Sequence, residues 1–335
     1  MSNYDIGIDL GTTNVVIYSP DGELLLSEPS VIAQSTVSGK VIAVGKEAFS
    51  MLGKTPGTIE AVMPMANGVI SDYILTQEMI SSFIKKIYGG KLIKPRVIIC
   101  VPGGITEVET NAVVGAARSA GARQVYLIEE PVAAALGAGI DISEPDGKMI
   151  LDIGGGTSDA AVLSFNGIVC KRSLKTAGKT IDRDIIRYVK DNYRLEIGEK
   201  MAERAKIEGV FANPEEAEGT VELKGRYLPK GLPQKMDVPC KELSMAAKES
   251  LQEIIGLVKS VLEITPPELS ADIYANGIIL TGGTSKLNGF AQMLSKATKL
   301  SVTLAPNPSD CVAIGTAKAF YMLDELADGF IKTAF

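Results

Sequence analysis

Two short segments of the sequence combine a carboxylate with a glycine-rich turn. In the longer one, Met149 to Asp159, apolar residues lead to Asp152, and three glycines and Thr157 follow it. Glycine allows neighbouring amides to point at one place with no Cβ in the way, and converging amides bind anions such as phosphate. A carboxylate at the end of the strand suits a hydrated magnesium ion that accompanies the phosphate. The spacing therefore predicts a hairpin whose tip binds a metal-bound phosphate.

The same pattern occurs near the start of the chain. The matching residues of the two copies are Asp9 with Asp152, Gly11 with Gly154, Thr12 with Gly156, and Thr13 with Thr157. Each copy ends in a pair typical of hairpin turns, Asp21-Gly22 and Asn166-Gly167. A single copy would be equally compatible with a tight turn that carries a surface aspartate. Two copies half a chain apart predict a duplicated α/β domain whose two hairpins hold one polyphosphate from opposite sides.

Composition excludes several classes of protein. A length of 335 residues and a hydrophobic content of 46% favour two domains with sizeable cores. A net charge of −6 argues against a nucleic-acid partner. The sequence contains no histidine, which excludes Ser-His-Asp and Cys-His catalysis and imidazole–metal sites within this chain. Any positioning of water must then be done by Asp, Glu, Lys or Thr.

The spacing of the cysteines and the lengths of the apolar runs indicate the cellular compartment of the protein. The four cysteines lie far apart without a CxxC pair, which favours reduced thiols over a zinc site. No apolar run approaches the roughly 20 residues that a membrane helix needs, and the first residues enter a strand without a signal-peptide pattern. We therefore expect a cytoplasmic protein.

Glu130 is the candidate for positioning water. It follows a short predicted strand, Val125 to Ile128, and precedes Pro131, which suits the first turn of a helix. In open α/β sheets, ligands lie at the carboxyl ends of strands. A helix-capping role for Glu130 is the alternative.

Four further segments are candidates for contact with a ligand or a membrane. Gly282 to Ser285 lies between a predicted strand and a helix, where the backbone can approach a flat ring or a phosphate. Glu203 and Lys206 lie three residues apart on a predicted helix and could form a surface ion pair or contact a ribose. Lys54 lies in a predicted loop, and its neighbours in sequence indicate a solvated surface lysine. The loop around Leu92 and Ile93, flanked by lysines, could pack in the core or touch a membrane.

Several motifs together resemble the actin-like ATPase superfamily. In chain order, they are GIDLGTTN, LIEEPVAAALGAG, LDIGGGTSDAAVLS and ILTGGTS. Within that superfamily the chain looks like the MreB bacterial actins, which maintain rod shape. The residues that carry this closer resemblance are EPSVIA, GKTPGTI, GVISDY, KPRVIICVP, ERAKIE, GRYLPKGLP and PPELSADI, together with the total length.

The resemblance implies an actin-like α/β fold with two ribonuclease-H-like domains, each carrying a small inserted subdomain, and a nucleotide cleft between them. The implied subdomains are IA at 1–31, 75–143 and 310–335, IB at 32–74, IIA at 144–180 and 240–309, and IIB at 181–239. ATP and Mg²⁺ are the implied ligands. The implied function is a slow ATPase that forms filaments on the inner face of the cell membrane and guides the cell-wall elongation machinery.

The resemblance also assigns roles to single residues. Those expected to contact the nucleotide are Thr12, Thr13, Asn14, Lys54, Gly155, Gly156, Thr157, Glu203, Lys206, Gly282, Gly283, Thr284 and Ser285. Asp9 and Asp152 would hold magnesium, largely through water. Glu130 and Thr157 would position the attacking water, and Leu92 and Ile93 would contact the membrane.

Departures and rival functions accompany this assignment. Many relatives have Ala where Thr13 stands and a third Gly where Thr284 stands. The first residues, MSNYD, are too short and polar for an amphipathic membrane anchor. The rivals are a sugar or acid kinase, for which no Asp base is evident, a monomeric chaperone-type switch, which would need a further domain after the ATPase core, and another actin-like filament for plasmid or organelle positioning.

Overall fold

The computed structural model describes residues 4–66, 68–89, 94–102, 106–326 and 329–332. The strands are β1 Ile6–Leu10, β2 Asn14–Tyr18, β3 Leu24–Pro29, β4 Ile32–Ser35, β5 Val41–Val44, β6 Ile59–Val62, β7 Met65–Ala66, β8 Val69–Ile70, β9 Arg96–Val101, β10 Gln124–Glu129, β11 Lys148–Ile153, β12 Ser158–Ser164, β13 Gly167–Leu174, β14 Leu195–Glu196, β15 Thr220–Tyr227, β16 Leu232–Pro239, β17 Ile278–Thr281, β18 Val302–Leu304 and β19 Phe330–Lys332. The α-helices are α1 Lys46–Met51, α2 Tyr73–Tyr88, α3 Glu107–Ser119, α4 Glu130–Ala138, α5 Gly178–Tyr193, α6 Glu199–Gly209, α7 Cys240–Ile264, α8 Pro267–Asn276, α9 Phe290–Thr298 and α10 Cys311–Lys318. Short 3-10 turns cover Pro214–Glu216, Gly283–Lys286 and Ala319–Tyr321.

Two large sheets share one topology. The strand order is β3-β2-β1-β9-β10 in the first and β13-β12-β11-β17-β18 in the second. In each sheet an antiparallel three-stranded meander is followed by two strands parallel to its first strand. The strand β19 extends the first sheet beyond β10. The duplication predicted from the two Asp-Gly segments is confirmed.

Each large sheet is covered by helices whose apolar faces form the cores. In the first half, Met79, Ile80 and Phe83 of α2 pack with β1, β9 and α3. In the second half, α5, α6 and α7 form a larger core with β11 and β12. The small sheets, β5-β4-β6 and β14-β15-β16, adjoin the first and second halves respectively.

The two halves are joined through α4 and α10. Buried residues of α4 belong to a core that also contains residues of β10 and β11, one strand from each large sheet. The helices α4 and α10 cross in backbone contact, because a Cβ at Gly137 would overlap the Cys311 carbonyl and a Cβ at Gly315 would overlap the Ala133 carbonyl. Glycine at both positions therefore allows the crossing.

Three local predictions were wrong. The turn between β12 and β13 is formed by Phe165 and Asn166, with φ of 50° and 58°, so Gly167 begins the next strand. Two positive φ angles give the turn type that suits a two-residue hairpin. The apolar pattern from Ile273 to Leu280 predicts a strand before Gly282, but Ile273 lies in α8, which ends before Gly277 with its φ of 78°. No strand was predicted at Phe330–Lys332, where the structure has β19.

Candidate functional site

A cavity of about 630 Å³ lies between the two halves of the molecule. Its walls come from both hairpins, from α5 and α6, and from the turn after β17. The residues singled out in the sequence that line it are Asp9, Thr12, Thr13, Asn14, Glu130, Asp152, Gly155, Gly156, Thr157, Glu203, Lys206, Gly282, Gly283 and Thr284. The fold thus brings together segments that are up to about 270 residues apart in sequence.

The tips of the two hairpins approach each other across the cavity. A Cβ at Gly155 would overlap Thr13 Oγ1 and lie 3.2 Å from Thr13 Cβ. The hairpins also correspond residue by residue, because Leu10 pairs with Val15 as Ile153 pairs with Ser158.

That correspondence changes the alignment made from the sequence. Both hairpins have four residues between their last paired positions, so Asn14, rather than Thr13, is the counterpart of Thr157. Thr12 and Thr13 are the counterparts of Gly155 and Gly156. The error arose because matching by residue type placed Thr13 on Thr157, whereas strand register, which sets the true equivalence, depends on pairing.

The hairpin tips present amides to the cavity. Within the described part of the chain, the backbone N–H groups of Thr12, Thr13, Gly155 and Gly156 meet no backbone carbonyl. Gly156 is buried and the other three residues are half-buried, so their amides need a partner from a side chain, water or a ligand. Two sets of such amides, facing one cavity, suit an anion with several phosphates.

The N-terminus of α5 holds the second hairpin in place. The Gly178 and Lys179 amides donate to the carbonyl oxygens of Gly154 and Gly155, at 3.2 Å and 2.8 Å. Thr284 Oγ1 also donates to the Gly154 carbonyl, at 2.8 Å. The carbonyls of the loop therefore point away from the cavity, towards α5 and the turn after β17.

Asp9 and Asp152 lie at the bases of the two hairpins. Burial raises the pKa of Asp9 to about 7, with further contributions from the negative charges of Asp152 and Asp310. Burial also raises the pKa of Asp152 to about 7, although a hydrogen bond from Thr281 Oγ1, at 2.7 Å, favours its ionised form. Two desolvated carboxyls that repel each other are a site for a cation.

The same carboxyls do not form a complete metal site. Among the residues that the structure describes, no group of three or more Asp, Glu, His or Cys side chains could hold a metal ion. A magnesium ion at Asp9 and Asp152 would therefore take most of its ligands from water and phosphate oxygens, as Mg²⁺ commonly does.

Glu130 lies at the end of β10, in the first turn of α4, as the sequence indicated. Thr157 Oγ1 donates to Glu130 Oε2 at 3.3 Å, so the two halves meet at this pair. Burial, followed by the charges of Asp159, Asp152 and Asp9, holds the pKa of Glu130 well above its usual range. The same burial and the same negative charges favour a cation beside this carboxyl.

At the other end of the cavity, Lys206 is fixed by two oxygens. Its ammonium lies 2.8 Å from Asp182 Oδ1 and donates to the Gly178 carbonyl at 3.1 Å. Burial raises the pKa of Asp182 even though Lys206 opposes that shift. Glu203, three residues earlier on α6, lines the same wall.

Gly282 allows the turn after β17 to reach the cavity. Its φ is 83°, and a Cβ there would overlap the backbone of Ile153. No other residue type would allow this approach without strain. Ser285 does not line the cavity, because its hydroxyl donates to the Gly282 carbonyl at 2.6 Å inside the turn.

Another predicted position, Lys54, is not part of the cavity wall. Lys54 is exposed in the loop after α1. Leu92 and Ile93 lie outside the described residues. No described helix is both long enough and apolar enough to cross a membrane.

The sequence analysis missed several cavity residues. Lys179, Asp182 and Asp310 line the cavity. The P-loop pattern does not identify Gly178-Lys179-Thr180, because position 173 is Ser rather than Gly. A glycine followed by a lysine at a helix start was the available signal for a helix terminus beside the site.

Comparison with known proteins identifies the relatives of this architecture. The family model described as MreB/Mbl protein matches residues 3–328. The cell shape-determining protein Mbl of Bacillus subtilis is 47% identical over 323 residues, covering 96% of this chain and 97% of the relative. The cell shape-determining protein MreB of Escherichia coli is 43% identical over 330 residues, covering 97% and 95%.

Comparison with solved structures gives the same family and fold. MreB 5 of Spiroplasma citri bound to AMPPNP superposes with a TM-score of 0.91 at 34% identity, covering 96% of this chain and 97% of that one. The MamK double helical filament has a TM-score of 0.80 at 21% identity, covering 94% and 98%, which is a likeness of fold. The duplicated sheets with a cavity between them are thus the actin-like fold, and the chain belongs to the MreB/Mbl family.

Proposed function

We propose that this chain is an ATP-dependent polymerising protein of the bacterial cytoskeleton. The observation that carries the proposal is the pair of glycine hairpins, whose tip amides meet no backbone carbonyl among the described residues and which line one cavity together with the carboxyls Asp9 and Asp152. This arrangement suits a triphosphate with its magnesium ion. The AMPPNP and ADP forms of Spiroplasma citri MreB 5, a relative with the same fold, support a nucleotide in the cavity.

The binding roles follow from position in the cavity. Thr12, Thr13 and Asn14 contact the phosphates from one side, and Gly155, Gly156 and Thr157 from the other. Asp9 and Asp152 hold the hydrated magnesium ion, which neutralises charge on the phosphates. Glu203, Lys206 and the turn Gly282–Thr284 contact the nucleoside, whereas Lys54 and Ser285 act from outside the cavity wall.

Hydrolysis needs little more than positioning and charge neutralisation. Glu130 and Thr157, which are in contact across the two halves, orient the attacking water. Burial and the charges of Asp159, Asp152 and Asp9 raise the pKa of Glu130, and a cation beside these groups would oppose that shift. We therefore expect slow turnover in the monomer, and faster turnover when filament contacts close the cavity.

The names of the relatives support a cellular role for this chain. The Bacillus subtilis and Escherichia coli relatives are named as cell shape-determining proteins. We assign this chain to cytoplasmic filaments on the inner face of the cell membrane that guide cell-wall synthesis. Leu92 and Ile93 supply the membrane contact, and the subdomain limits given by the resemblance define the four lobes of each subunit.

Electron microscopy of the purified protein with ATP on a lipid monolayer tests the proposal. Filaments that need ATP and magnesium, and that lie on the lipid, are the expected result. Leu92→Ser with Ile93→Ser should weaken pelleting with liposomes and leave polymerisation intact. Protein that binds ATP but stays in the supernatant at high concentration would instead indicate a monomeric switch and would refute the filament role.

A further inference from the structure

A side-chain contact connects α6 of the second half to α1 of the first half. The Lys200 ammonium donates a hydrogen bond to the Phe49 carbonyl oxygen and lies 3.8 Å from the centroid of the Phe49 ring. Helix α1 packs on the small sheet of the first half, whereas α6 packs in the core of the second half. This contact therefore joins the halves at a place separate from the α4–α10 connection.

The contact lies beside the cavity. Lys200 precedes Glu203 by three residues, which places both on one side of α6, and Glu203 lines the cavity. Ile207, one turn further along, lines the same wall and is 69% exposed. This wall thus opens to solvent at Ile207, and the contact between Lys200 and Phe49 lies next to it, on the same helix, where α6 faces the first half.

The Phe49 carbonyl has capacity for this bond. It lies in the last turn of α1, where carbonyl oxygens have no partner within the helix, and it otherwise accepts only from the Leu52 amide, at 3.3 Å, among the described residues. No basic residue occurs in that last turn. Lys200 provides the missing cation from the opposite half, and the Phe49 ring adds a cation–π attraction.

The surroundings of Lys200 indicate that these two groups alone hold it. Within the described ranges, no carboxylate lies within ion-pair distance of its ammonium. Burial, followed by the positive charge of Lys54, lowers the pKa of Lys200. An ordinary surface lysine would remain in water, whereas this one gives up hydration for a carbonyl and a ring across a gap.

We propose that Lys200 and Phe49 form a latch across the mouth of the cavity that slows the exchange of bound nucleotide. The inference rests on the proposed nucleotide site and concerns its regulation. A nucleotide that leaves must pass between α6 and the first half, so the latch must break before release. Because filament assembly would depend on which nucleotide is bound, the latch would set how long each nucleotide state lasts.

The test is the release rate of a fluorescent ATP analogue, chased with excess ATP, at a concentration where light scattering shows monomers only. Lys200→Met removes the charge and keeps the length of the side chain, and should speed release about tenfold, equivalent to about 1.4 kcal/mol. Phe49→Leu removes the ring and keeps the carbonyl, and should speed release about threefold. The double variant should match Lys200→Met, and Lys200→Arg should stay near the parent because a guanidinium both donates and stacks.

The matched control is Lys190→Met, which removes an exposed lysine of α5 that lies 3.9 Å from Glu196. Its release rate should equal that of the parent. A rate within twofold of the parent in Lys200→Met, or fully additive effects in the double variant, would refute the latch while the parent still binds the analogue. Absence of binding by the parent would instead refute the nucleotide site itself, and the latch with it.

Discussion

The substitution Gly155→Ala tests whether the two hairpins converge on one ligand. The added Cβ would overlap Thr13 Oγ1 and lie 3.2 Å from Thr13 Cβ. Gly155 does not have a positive φ, so the backbone itself accepts alanine. The effect of the substitution is therefore confined to the contact between the hairpin tips.

The size of the effect depends on how the clash is relieved. If Thr13 rotates to a strained or alternative rotamer, the cost is about 1 kcal/mol, or roughly fivefold in affinity. If the hairpins instead separate by about 1 Å, misplacement of the phosphates can slow the reaction about 100-fold. We expect an affinity for magnesium-bound ATP about tenfold lower and a larger loss of turnover.

The assay is isothermal titration with a non-hydrolysable ATP analogue, followed by phosphate release with ATP. Thr13→Ala in the Gly155→Ala background removes the clashing oxygen and should recover most of the affinity. Gly256→Ala, an exposed position on α7 with open space around its Cβ, controls for the general effect of adding a methyl group. An affinity within twofold of the parent in Gly155→Ala would refute the converging-hairpin argument.

The remaining predictions concern the acids of the site. Glu130→Gln should keep nucleotide affinity and lower phosphate release at least tenfold in a single-turnover assay; unchanged turnover would remove Glu130 from the mechanism. Thr281→Val deletes the hydroxyl that donates to Asp152 and should raise the magnesium concentration needed for nucleotide binding severalfold, whereas Thr281→Ser should restore it. Asp152→Ala should lose magnesium-dependent binding, and normal affinity in that variant would contradict the assignment. The pKa values of Asp9 and Asp152, raised from 3.8 to about 7, mean that the folded ligand-free protein binds more protons than the unfolded chain between about pH 4 and pH 7. Its free energy of unfolding should therefore fall with rising pH, by about 5 kcal/mol for the two groups together from pH 5 to pH 8, as measured by urea denaturation. Magnesium-bound nucleotide should reduce that fall, and a stability that rises over this window would show that these carboxyls are not desolvated.

Local chemistry in the sequence was sufficient to find the centre of the site. Asp9, Asp152 and the glycine turns have types and spacings that few other roles require, and Pro131 fixed the position of Glu130 at a strand end. Each of these signals is contained within about ten consecutive residues, so it can be recognised without knowledge of the fold.

The positions of site residues that depend on contacts between distant parts of the chain could not be predicted from local sequence. Asp182 is identified only through Lys206, an ion pair between two helices, and the position of Lys54 depends on how α1 packs on its small sheet. The alignment of Asn14 with Thr157 required strand register, which residue types alone do not give. Likewise, β19 is recognisable only because β10 has a free edge for it to pair with.

The backbone contact between α4 and α10 has a mechanical consequence. Because Gly137 and Gly315 lie at the crossing, no side chain separates the two helices there. The helices therefore cannot move closer together, and no interdigitated side chains block the rotation of one helix against the other. The halves can then swing about this crossing as about a fixed pivot. Displacements would be smallest there and would grow with distance from it, so a small twist at the crossing would produce a large change at the far ends of the lobes.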